Sequence, residues 1–291
     1  MPTVRVASGR ERASGFPTEA HADSSVRDRV FALLSAAKQR EIYVPFTVSH
    51  AAAVLPLHRY TKLPLTALMV GSMAPDFGYF YSYASRPLTH SFMGLFIFAL
   101  PVGLFVWLFY VAFLEKTTIT LLSDRWHTRF AHTDAITTSL IVRASIAILL
   151  GAVTHLLWDS FTHRGTFMTD AFPALLGPTP GVAWLPIYHL LHGLSSVVGA
   201  VILARWARHQ HRLPAKSLIR PYKISERARI GALWLLLAAS LGAGLWEWLP
   251  YAHAHYDAQL FFAAVGSMSG FFIAWCCIAI GMWIKARRVA K

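Results

Sequence analysis

The chain has 291 residues, 55% of them hydrophobic and only 14% charged, where a soluble domain carries roughly 25% charged residues; the composition is that of an integral membrane protein. The formal net charge of +13 does not point to nucleic acid, because the basic residues gather beside apolar segments: eight lie in Arg205–Arg229 and four between Lys285 and Lys291. Basic clusters so placed mark cytoplasmic loops that meet anionic lipid, and the adjacent Cys276 and Cys277 imply no disulfide framework.

Residues 1–43 are polar and mixed in charge, with no long apolar core and no cleavage-site pattern. They read as a disordered extension with a short helix around Val30–Arg40. Phe46–Leu57 is apolar but too short to cross a bilayer alone, and Leu63–Tyr83 is interrupted by Pro75-Asp76. Segments that reach the length of about 20 residues needed to cross are Leu88–Leu114, Thr138–Phe161, Val182–Trp206, Ile230–Leu249 and Ala258–Ile284. The expected fold is all-α: a polytopic helical bundle of five transmembrane helices plus an N-terminal re-entrant hairpin or sixth span. All of it falls in one membrane domain, residues 44–291. Gly266-x-x-x-Gly270 is a pattern that lets two helices approach closely.

The basic loops set the expected orientation. With Arg205–Arg229 and the C-terminus cytoplasmic, the loop that opens at Glu115 also falls inside. The loops near Arg86, His163–Pro180 and Tyr251–Asp257 then face outward, and the protein sits in the inner (plasma) membrane.

Polar residues inside apolar spans are costly and are functional candidates for that reason. Asp76 lies in GSMAPDFGYF, and His90 in RPLTHSFMG. His155 and Asp159 are four residues apart, about 40° around a helix, so they share a face that His163 continues one turn on. His189 and His192, in YHLLHG, open the next span. On the expected orientation all of them occupy the outer end of the bundle.

Imidazole and carboxylate at this density suit a divalent metal, with zinc the first choice. Zinc takes His nitrogen and Asp oxygen, and a catalytic site keeps one position open. Two other readings stand beside it. Histidine gathers at membrane interfaces without catalytic duty, and a buried carboxylate is also served by a salt bridge, with Arg86 or Arg164 in reach for Asp76 and Asp159.

The phrases PFTVSHAAAVLPL (Pro45–Leu57), GSMAPDFGYF (Gly71–Phe80), RPLTHSFMGL (Arg86–Leu95), THLLWDSFTHRG (Thr154–Gly165) and YHLLHGLSSVVG (Tyr188–Gly199) together resemble the domain-of-unknown-function 4184 family of bacterial membrane proteins. The resemblance runs from about Pro45 to the C-terminus. Family members tend to start at the Pro-Phe-Thr phrase, which implies a true start at Val44 and residues 1–43 as a start-site artefact. A more distant likeness is to inner-membrane metal-dependent hydrolase-like proteins and the zinc-dependent phospholipase C and nuclease group. It implies His50, Asp76, His90, His155 and Asp159 as metal ligands, with Asp76 or Asp159 doubling as general base. His163, His192 and His189 would support the shell or face substrate.

His50 joins the others only if Phe46–Leu57 and Leu63–Tyr83 form a re-entrant pair, broken near Pro56 and Pro64. The expected function is a membrane-embedded metal-dependent hydrolase of a lipid or phosphoester. The alternative is a non-enzymatic membrane protein that uses the same cluster as a proton or cation pathway or a structural network. No Walker loop, Rossmann fingerprint or Gly-x-Ser-x-Gly elbow is present, which argues against nucleotide-driven and serine-hydrolase chemistry.

Overall fold

The structure is a computed structural model and describes residues 47–80, 85–123, 126, 133, 135–212, 221–254 and 256–289. The chain divides at Tyr43/Val44 into two units, and the described residues all belong to the second. The extension and short helix expected in residues 1–43 lie outside the described residues.

A 3-10 turn, Thr47–Ala52, leads into helix α1 (Val54–Thr61), which reverses into α2 (Leu65–Met73). The reversal sits at Lys62, in the left-handed region at φ 57°. Its exposed carbonyls are held from both sides: Arg143 donates to the Lys62 carbonyl at 2.5 Å and His58 Nδ1 to the Leu63 carbonyl at 2.7 Å. Pro64 precedes α2, where its fixed φ and missing N–H are harmless. Pro56, expected as a second break, instead sits in the first turn of α1, a position that tolerates it for the same reason.

With nine residues, α2 reaches about 14 Å at 1.5 Å per residue, half of a hydrocarbon core. It continues as a 3-10 segment, Ala74–Phe80. The N-terminal region is thus a hairpin of short helices, neither of which by itself reaches the length of a crossing helix.

Among the described residues, five helices are long and apolar enough to cross a membrane. They are α3 (Phe92–Leu121), α4 (Thr138–Thr162), α5 (Ile187–Arg212), α6 (Glu226–Trp248) and α7 (Tyr256–Val289). Large apolar side chains such as Phe105, Val197, Leu241 and Ile273 are exposed on them, the outer surface that a bilayer covers.

Three boundaries differ from the hydropathy reading. The first span begins at Phe92, because Arg86–Thr89 is a separate helical turn and Ser91 caps α3 by accepting from the Gly94 N–H at 2.9 Å. Gly94 is required there, since a Cβ would lie 2.1 Å from the Leu88 carbonyl. The same helix runs on to Leu121, so Glu115–Leu121 is helix, not loop. Two π-turns, Leu95–Ala99 and Tyr110–Leu114, interrupt it; the first falls where Pro101 removes an N–H from the i to i−4 ladder. The third span begins at Ile187, because Val182–Pro186 pairs as a strand (β2) with Pro178–Thr179 (β1). Pro180-Gly181, with Gly181 at φ +80°, supplies the turn between them.

The core lies where α2 crosses α4. A Cβ on Gly71 would lie 2.3 Å from the Ile148 carbonyl, and one on Gly151 the same distance from the Leu68 carbonyl, so the two backbones touch. Val54, Leu68, Trp107 and Ile148 pack around this crossing. On the other side, α6 and α7 pair through Gly266 and Gly270, whose Cβ positions the Ala243 and Ala239 carbonyls occupy. The Gly-x-x-x-Gly pattern is a helix contact.

Candidate metal centre

The close approach of α2 and α4 sets the site. It presses the Ser72 carbonyl, at the end of α2, against the ring of His155, which donates from Nδ1 at 2.8 Å. His155 is fully buried, and this bond turns its Nε2 towards the Asp76 and Asp159 carboxylates. His90 sits in the break ahead of α3. Its Nδ1 shares a hydrogen bond with the Thr89 hydroxyl at 2.8 Å, which turns the His90 Nε2 towards Asp76. These two Nε2 atoms face each other at 3.3 Å.

Both carboxylates join them. Asp76, in the 3-10 segment after α2, accepts from the Thr47 hydroxyl on Oδ2 at 2.8 Å. Its Oδ1 lies 3.2 Å from His90 Nε2 and 3.5 Å from His155 Nε2. Asp159 Oδ2 lies 3.5 Å from each of the same nitrogens. Asp159 Oδ1 lies 3.6 Å from His50 Nε2 and has no hydrogen-bond donor among the described residues. The His50 ring stacks on His155 with centroids 4.1 Å apart.

Four donor atoms, two imidazole nitrogens and two carboxylate oxygens, therefore stand 3.2–3.5 Å apart along every edge named above. Two overlapping groups could hold a metal ion: His50, His155 and Asp159, and Asp76, His90 and His155.

The remaining expected residues fall into place by distance. His163 Nδ1 is 3.4 Å from Asp159 Oδ2, and the His163 ring meets His192 edge-on at 5.1 Å. His189 stacks instead on the buried Tyr188. The salt-bridge reading also holds in part, for Arg86 donates to Asp159 Oδ2 at 2.9 Å while Arg164 is exposed. Thr47, Ser72 and Thr89, which orient the rings and carboxylates, were not singled out by sequence; a hydroxyl or main-chain carbonyl carries no mark of its partner.

Residues 44–283 match the family described as a domain of unknown function, DUF4184. The chain belongs to that family. No curated protein and no solved structure matches it. The motifs that carry the family resemblance are the same segments that bring His50, Asp76, His90, His155 and Asp159 to one end of the bundle.

Proposed function

We propose that this DUF4184 protein is a membrane-embedded, zinc-dependent hydrolase of a lipid or phosphoester. The observation that carries the reading is the convergence of two overlapping groups, His50, His155 and Asp159 and Asp76, His90 and His155, whose ligand atoms lie close enough to share one ion. His50, Asp76, His90, His155 and Asp159 would hold the ion. His155 offers one nitrogen only, since the other is given to Ser72, so the two overlapping groups describe one ion rather than a pair.

Zinc held this way supplies Lewis acidity to an ester or phosphoester oxygen and makes water more acidic. Asp159 is the base: its Oδ1 accepts a proton, while Arg86 on Oδ2 keeps the carboxylate anionic. Thr47 and Ser72 hold Asp76 and His155 in register. His163 and His192 stand beside Asp159, where they face the leaving group. The basic end, Arg205–Arg229 and Lys285–Lys291, lies in the cytoplasm against anionic lipid, which puts the centre at the outer side of the inner membrane.

Elemental analysis of the purified protein tests this. The expected result is one zinc per chain, lost in both His155→Ala and Asp159→Ala. Folded wild-type protein without metal would overturn the hydrolase and favour a proton or cation pathway, the second reading that the paired Nε2 atoms support.

A further inference from the structure

A crevice of ≈ 40 Å³ runs from the Asp76 carboxylate to the flank of α7. Thr47 and Asp76 form its polar floor, and Phe77 faces Phe261 and Val265 across it. Its rim is apolar: Phe80 is 40% exposed and Met268 is 39% exposed. Met268 and the α7 wall belong to the crossing stretch Ala258–Arg288, so the mouth opens where a bilayer supplies hydrocarbon.

Water needs two to four polar partners in such a space, and beyond Thr47, Asp76 and Tyr79 the lining is apolar. One water needs ~10–15 Å³ of this kind of volume, so the crevice holds a short segment of an alkyl chain. Met73 and Met268, unbranched and flexible, line it and can adjust to the chain.

The floor connects the crevice to the metal centre. Thr47 occupies Asp76 Oδ2, and Oδ1 of the same carboxylate faces His90 and His155. A chain seated against Phe77 and Val265 therefore brings its polar end to the histidines. Beyond them stands Arg86, whose side chain is 31% exposed, a cation for an anionic headgroup.

We propose that this crevice is the hydrocarbon subsite of the centre, and that the ligand is a bilayer phospholipid whose chain crosses the rim between Phe80 and Met268. The proposal rests on the hydrolytic reading for its consequence, but binding can be measured apart from it.

The test uses the full chain in phosphatidylglycerol vesicles containing a phosphatidylglycerol with a photoreactive diazirine about three carbons from the ester, the reach of the crevice. After illumination, the label is expected on Phe77–Phe80 and Phe261–Met268. Ala264→Trp, which fills the crevice, is expected to lower that labelling about tenfold, with Ala264→Leu intermediate and labelling elsewhere unchanged. Label spread evenly over the exposed faces of α3, α5 and α6, or undiminished by either substitution, overturns the subsite. Zinc measured on the same samples separates the two readings. Crevice labelling in metal-free protein upholds the subsite and defeats the hydrolase; zinc-loaded protein with evenly spread label does the reverse.

Discussion

Two carboxylates are buried at opposite ends of the bundle, and they are treated differently. Glu115, on α3, is 7% exposed. Its Oε2 accepts the Thr133 N–H at 2.6 Å and its Oε1 accepts the Thr133 hydroxyl at 3.2 Å. The neighbourhood is closed in the same manner, with the Tyr222 N–H donating to Thr120 and Arg229 to the Leu121 carbonyl. Asp159, on α4, is 5% exposed; Arg86 donates to its Oδ2, four imidazole nitrogens surround it, and its Oδ1 has no donor among the described residues. A buried carboxylate supplied with donors ties helices together. One ringed by imidazoles, with an oxygen left without a donor, is a place for a cation.

Asp159→Asn breaks the contrast most strongly. The shape is kept while the charge goes, and the expected fall in zinc affinity is about 100-fold or more, ~2.7 kcal/mol. Titration of the apo-protein against a competing chelator measures it; unchanged affinity would remove Asp159 from the shell. Glu115→Ala probes the other end. It strands the Thr133 N–H, with an expected loss of about 2 kcal/mol of stability and full zinc content, read as a lower melting temperature beside elemental analysis. Loss of zinc in that variant would mean that the two ends are one cooperative unit. The smallest effect is Thr47→Val, which frees Asp76 Oδ2 without touching the ring nitrogens. Zinc affinity should fall about tenfold, ~1.4 kcal/mol, as for other groups that orient a ligand, with no change in helix content by circular dichroism.

Much of this was legible in the chain because it is local. The His-x-x-x-Asp spacing on an apolar helix places His155 and Asp159 on one face, and the polar phrases at segment ends mark the same end of the bundle. Two segment ends were misread for a reason that hydropathy cannot register. Leu88–Ser91 is apolar enough to begin a span, but Ser91 caps the helix at Phe92. Glu115 looked like the start of a loop because a charge inside a span is rare, and its stabilising partner Thr133 lies 18 positions away.

Length, composition and hydropathy by themselves determined that this is a helical membrane protein with five crossing segments and an interrupted apolar region before them. They also supplied the histidines and aspartates, since residue type is all that metal chemistry asks of a sequence. Only the tertiary structure decided which atoms of those residues face one another. The contacts that turn the rings join Ser72 to His155 across 83 positions and Arg86 to Asp159 across 73, and no periodicity spans such distances. The hairpin of short helices also depends on tertiary contact: Gly71 of α2 and Gly151 of α4 let the two backbones touch, a fit that exists only once both helices are in place.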